Sequence, residues 1–275
     1  MPYLATKDGT TLYYEDWGKG ETIVFLHGVG SSHLELRDFI DEFKGEYRCI
    51  TYDCRGHGLT KAPGTNMNLL TTGQDLNELL TYLDLTDVTL VGHSMGGLTI
   101  FSYVNQFGCD RLKRIVSVDI TPCCRNFDGW TGGLARGEWT DEDYMEDFDR
   151  IFTDIGLANW VITKKIMNPA LDGMPPEAEL PMMALAGKGS DTYAMAGLWF
   201  SVFRSDFRPA MSKITVPFLH VMPDTPICTT EATDFIRDHT QSTFELAHGA
   251  PGTTHMILME APHETAESVK AFLRK

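Results

Sequence analysis

Short continuous apolar runs separated by stretches of helical spacing dominate the pattern along the chain. Ile23–Leu26, Val88–Val91, Ile115–Val118 and Val216–Met222 are such runs, and Tyr47–Tyr52 is a further β-prone stretch. Runs of this kind suit strands buried on both faces of a parallel sheet. Between them, Leu76, Leu79, Leu80 and Leu83 recur at i, i+3, i+4 and i+7, which predicts an amphipathic helix over 72–83. A second helix is predicted over Leu98–Phe107, a third near Glu231–His239, and a last over Glu264–Arg274 with Ala266, Val269 and Phe272 on one face. Ser31 or Ser32 is expected to cap a helix after the first apolar run. At the front of the chain, Tyr3–Thr6, the Asp8-Gly9 turn and Thr11–Trp17 read as an antiparallel hairpin. The last strand is expected at Thr243–Leu246.

Strands alternating with helices imply an α/β fold: a mostly parallel sheet with right-handed crossovers and flanking helices. That alternation stops between Thr121 and Lys213, where no β pattern occurs. Four of the five Trp and seven of the thirteen Met fall there, with an acidic run from Asp141 to Asp149. The expected organisation is a core of residues 1–120 and 213–275, interrupted by a helical cap over 121–212. Most of the cap aromatics are expected to form its own core, because helices must bury one face. The remainder, drawn from Trp130, Trp139, Trp160, Trp199, Phe200, Phe203 and the methionines, would line a deformable apolar pocket. The acidic run reads as a solvated helix face.

The chemistry concentrates at Gly92-His93-Ser94-Met95-Gly96, a Gly-x-Ser-x-Gly string between a predicted strand and a predicted helix. In that context the motif is a nucleophile elbow: a serine on a strained strand-to-helix turn, with its hydroxyl standing clear of the sheet. Gly92 and Gly96 leave room where a Cβ would crowd the turn. The N-terminus of the following helix favours a developing negative charge.

A serine hydroxyl needs a base, and the base needs an orienting acid. The chain order after an elbow serine is acid and then histidine. His255 fits, lying after the last predicted strand, whereas His248 precedes it by seven residues and His263 opens the final helix. His57, His93 and His220 read as structural, and Asp53 as the cap of its own loop.

These pieces resemble the α/β-hydrolase fold family, in particular the small esterases grouped with cofactor-free haloperoxidases. The resemblance rests on His27-Gly28 after a strand, Asp53-x-Arg55-Gly56-His57-Gly58, Gly92-His93-Ser94-Met95-Gly96-Gly97, and His255 followed by Glu260-Ala261-Pro262. It implies an oxyanion hole made by the backbone N–H groups of Val29 and Met95. Where most relatives carry the acid, after the strand at Phe218–Met222, this chain has Pro226, which cannot serve. Two candidates follow: Asp119, at the end of the preceding strand, where certain dehalogenases and lactone hydrolases carry theirs, and Asp224, two residues before the usual slot. Asp119 is preferred.

Composition narrows the partners. The chain has 275 residues and a formal net charge of −15. That charge disfavours nucleic acid and anionic membranes and mildly favours neutral or cationic substrates. No apolar run is long enough to span a membrane. The amino terminus does not read as a signal peptide, and the six cysteines form no CxxC pair, so a cytoplasmic protein is expected. Neither a metal-ligand spacing nor a phosphate-binding glycine loop occurs, so no cofactor and no metal are expected. Homo-oligomerisation stays open. The expected activity is hydrolysis of small to medium, fairly apolar, neutral carboxylic esters or lactones through Ser94, His255 and Asp119. Two further readings are C–C bond hydrolysis or perhydrolysis by the same serine, and a ligand sensor with a vestigial triad.

Overall fold

A computed structural model describes residues 2–62, 64, 66–171, 173–175, 177, 178 and 191–275. Part of the expected helical stretch, residues 179–190, lies outside the described residues. Among those described, the strands β1 (Tyr3–Ala5), β2 (Thr11–Trp17), β3 (Thr22–Leu26), β4 (Arg48–Tyr52), β5 (Val88–His93), β6 (Leu112–Val118), β7 (Phe218–Met222) and β8 (Phe244–His248) form one sheet. Their order is β1-β2-β4-β3-β5-β6-β7-β8. β1 and β2, and β2 and β4, pair antiparallel, and every later pair is parallel.

Two apolar layers cover the faces. On one, Leu76, Leu79 and Leu80 of α2 (Leu69–Tyr82) pack with Leu98 and Phe101 of α3 (Met95–Phe107) against Val24 and Leu90. On the other, Phe39 of α1 (Arg37–Asp41) packs with Phe25, Val91 and Val269. Each fully buried leucine or phenylalanine contributes about 1.5–3 kcal/mol relative to exposure. Helix α2 begins three residues earlier than its leucine pattern predicts, because the Asn68 side chain accepts the Thr71 N–H and caps it there.

The helix expected from Ser31 or Ser32 does not start there. α1 begins only at Arg37, and the preceding residues form turns. The reason lies in two inward side-chain commitments. Asp53 Oδ1 accepts both the His33 N–H (2.7 Å) and the His33 ring (2.8 Å), and Glu35 turns into the interior to meet His93.

Between β6 and β7 lie α4 (Asp141–Thr153), α5 (Ile155–Ile162), α6 (Thr192–Arg204) and the short α7 (Arg208–Met211). Tyr144 of α4 stacks on Phe203 of α6 at 3.7 Å, and Trp139 meets Phe203 edge-on at 5.2 Å. The acidic run is less solvated than expected. Asp147 is buried, accepting from the Trp139 indole at 3.0 Å and pairing with Arg150 at 2.7 Å. The chain ends in α8 (Thr230–His239), β8, α9 (Ile257–Glu260) and α10 (Pro262–Leu273).

Candidate active site

Ser94 sits between β5 and α3 at φ 54°, ψ −121°, a conformation that costs a non-glycine residue about 1–3 kcal/mol. The surroundings impose it. Ser94 N–H donates to Val118 O on the neighbouring strand, and Ser94 O accepts from Gly97 and Leu98, which starts α3. The flanking glycines are required by space. A Cβ at Gly92 would lie 2.6 Å from the Gly96 backbone, and one at Gly96 would overlap the Leu26 carbonyl.

His255 lies on the turn before α9. Its Nδ1 is 2.7 Å from Asp119 Oδ2, with both side chains almost wholly buried. A neutral imidazole carries one N–H. Donating it from Nδ1 to a carboxylate leaves Nε2 as the lone-pair nitrogen, the form a general base needs. Asp119 follows β6 at φ 44°, a left-handed conformation aspartate tolerates better than most residues. Its carboxylate also accepts the Ile227 N–H, at 3.1 and 3.3 Å to its two oxygens.

Asp224 is placed otherwise. Its Oδ2 accepts the Gly252 N–H at 2.8 Å, and it makes no bond to His255. His248 ends β8, and the exposed His263 pairs with Glu42 at 3.1 Å.

Ser94 and His255 line one cavity of about 290 Å³, together with Gly28, Val29 and Gly30. No hydrogen bond joins Ser94 Oγ to His255; such bonds commonly tighten only once substrate is bound. From the segment between β6 and β7, Ile162, Met167, Met195 and Trp199 line the same cavity. Trp130, Trp139, Trp160 and Phe203 are buried elsewhere, and Phe200 lines a separate groove with Phe148 and Phe152.

Val29 and Met95 both line a narrower space beside Ser94 and His255, and among the described residues their N–H groups donate to no carbonyl or side chain. Two histidines hold the Val29 loop. His27 Nε2 accepts the Cys54 N–H (3.0 Å), while His27 Nδ1 lies 2.7 Å from Gly28 O. His57 Nε2 accepts the Gly30 N–H (2.9 Å), and its Nδ1 donates to Arg55 O (3.0 Å). Burial pushes the His57 imidazole down to about 3, so it stays a neutral fixture of the loop.

Sequence reasoning missed Glu35. Its side chain, only 7% exposed, also lines the cavity, with Oε1 2.9 Å from His93 Nδ1. Burial pushes its carboxyl up, but the His93 ring pulls it further the other way, to about 2. No motif marks Glu35, and its role exists only through a contact with a residue 58 positions on.

Among the described residues no group of three or more His, Cys, Asp and Glu side chains converges as metal ligands would, and no helix is long and apolar enough to cross a membrane.

Residues 21–156 match the alpha/beta hydrolase fold family. A putative non-heme chloroperoxidase of Synechocystis sp. is 34% identical over 82% of both chains. The non-heme chloroperoxidase CPO-A1 of Kitasatospora aureofaciens is 40% identical over 44% of this chain, and the aligned stretch spans only 45% of that protein. A bromoperoxidase structure from Bacillus anthracis superposes with a TM-score of 0.82 at 25% identity, covering 98% of this chain and 97% of that one. The chain belongs to the α/β-hydrolase fold family, in its haloperoxidase-like branch.

Proposed function

We infer that the protein is a serine hydrolase of small to medium, fairly apolar, neutral carboxylic esters or lactones. The observation that carries this reading is the 2.7 Å contact between His255 Nδ1 and Asp119 Oδ2, on a ring that shares a cavity with Ser94. In this mechanism Ser94 Oγ attacks the substrate carbonyl while His255 Nε2 takes its proton. The tetrahedral oxyanion accepts hydrogen bonds from the N–H groups of Val29 and Met95, each worth about 3–4 kcal/mol of barrier. His255 then protonates the leaving alkoxide. Water, deprotonated by the same ring, attacks the acyl-serine and releases the acid. Asp119 holds the tautomer and stabilises the imidazolium. The segment over 121–212 acts as a cap whose Ile162, Met167, Met195 and Trp199 supply apolar contact to the acyl or alcohol group.

Labelling of Ser94 by a fluorophosphonate probe, with steady-state hydrolysis of an ester and lactone panel, tests this. Wild type is expected to turn over many times, and Ser94→Ala to lose both labelling and turnover. Acylation without a steady state would favour a ligand sensor instead.

One second reading has a specific support, the haloperoxidase names of the relatives. In it hydrogen peroxide replaces water against the same acyl-serine, giving a peracid and free Ser94. Peracid formation from acetate or an acetyl ester plus peroxide, lost in Ser94→Ala, is its test.

A further inference from the structure

On the cavity wall, His93 is placed unlike the other buried histidines near it. Its Nε2 lies 2.8 Å from the backbone oxygen of His255, and its Nδ1 lies 2.9 Å from Glu35 Oε1. Both partners are acceptors. The Nε2 contact is a hydrogen bond, whereas the Nδ1 contact lies outside hydrogen-bond alignment and is an ion-pair contact, from which a charged ring gains and a neutral ring does not. His27 and His57 show the contrast. Each has a backbone N–H pointing at Nε2 and a carbonyl at Nδ1, the arrangement of a neutral ring. The His93 ring also lies against the His255 ring, with centroids 4.7 Å apart and planes 37° from parallel.

The geometry points to Glu35 and His93 as a buried ion pair that positions His255 and sets a positive charge against its ring. The proposal rests on reading His255 as the general base. Two effects combine in it. The imidazolium anchors the backbone of residue 255, and so the ring carried on it, to β5, which ends at His93 beside Ser94. Its positive charge, on a ring whose centroid lies 4.7 Å from that of His255, opposes a second positive charge there. The other titratable groups around the pair are accounted for. His27, His57 and His220 are neutral, with burial pushing all three down. Glu260 is committed to the Thr254 N–H and hydroxyl, at 2.6 and 2.7 Å. Asp53 is committed to His33 and to the Leu59 N–H. His93 is therefore the cation set against His255; burial disfavours its charge but is outweighed by Glu35, the His255 carbonyl and Asp119 together, so its pKa is raised.

The test uses Glu35→Gln and His93→Gln. A glutamine at 93 keeps an N–H donor for the His255 carbonyl without the charge. A glutamine at 35 lets His93 become neutral, with Nδ1 accepting from the new amide. In both variants the acid limb of kcat/KM for ester hydrolysis is expected to move up by about half to one pH unit, with KM changed less than kcat. A purely structural role would lower activity without moving the limb, so an unmoved limb in either variant overturns the proposal. A second measurement needs no variant to fold. In the wild-type protein with ¹⁵N-labelled histidine, one buried ring is expected to show both nitrogens in the imidazolium range at pH 7, and neutral patterns for every buried ring would overturn the proposal. The hydrolase reading fails separately, if Ser94→Ala retains turnover.

Discussion

The carboxylate of Asp119 meets the imidazole of His255 at 2.7 Å across 136 positions of sequence, while Asp224 bonds the Gly252 backbone instead. Asp119→Asn reverses the hydrogen-bond preference at His255 Nδ1 and favours the wrong tautomer. kcat for ester hydrolysis is expected to fall about 10³–10⁴-fold with KM little changed. Asp224→Asn keeps an oxygen for Gly252 and is expected to stay within about twofold of wild type. Steady-state kinetics of the two variants side by side checks this, and the reverse ranking would move the acid to residue 224.

Ser94 carries backbone strain that its side chain does not relieve. Ser94→Ala is expected to abolish hydrolysis while leaving stability near wild type. Ser94→Gly abolishes it too but removes the Cβ from a left-handed position, and is expected to be more stable than Ser94→Ala by about 1 kcal/mol. Urea unfolding at pH 7 reads the difference.

The Glu35–His93 pair makes stability depend on pH in a defined window. The lowered carboxyl pKa of Glu35 gives a contribution present above its ordinary value of 4.5 and lost as pH falls toward about 2. The raised pKa of His93 gives one fully present below 6.5 and lost as pH rises through the folded value. The destabilisation caused by Glu35→Gln is therefore expected to peak near pH 5–6, at about 3 kcal/mol, and to shrink on both sides. Denaturant midpoints of both proteins from pH 3 to pH 9 measure it. A difference flat with pH would mean the pair is not ionised.

An ionised Glu35 on the cavity wall also bears on the substrate. Esters that carry a carboxylate are expected to be hydrolysed with kcat/KM at least about tenfold below that of neutral esters of equal length. Competition between matched pairs checks it, and a preference for the anionic member would count against the neutral-substrate reading.

The central strands were legible because each is buried on both faces, which leaves a continuous apolar run such as Ile23–Leu26. Ser94 was legible because its turn demands glycines at fixed offsets on either side. Asp119 was legible only as one of two candidates, since the choice depends on how the loops after β6 and β7 are routed. Glu35 was not legible at all. Its neighbours Leu34 and Leu36 give a local pattern compatible with a helix, and the turn that buries it is dictated by Asp53 and His93, both distant in sequence. Asp147 was misjudged for a similar reason, because the Trp139 indole that takes it out of solvent lies on another segment.

With Asp119 standing on β6, the connection after β7 owes the Asp119–His255 pair a single donation, the Ile227 N–H. Every residue except proline supplies that group. Residue 227 is therefore a natural place to diversify in a library, because its side chain lines the narrow space beside Ser94, Met95 and His255 while its backbone N–H is all that the pair requires.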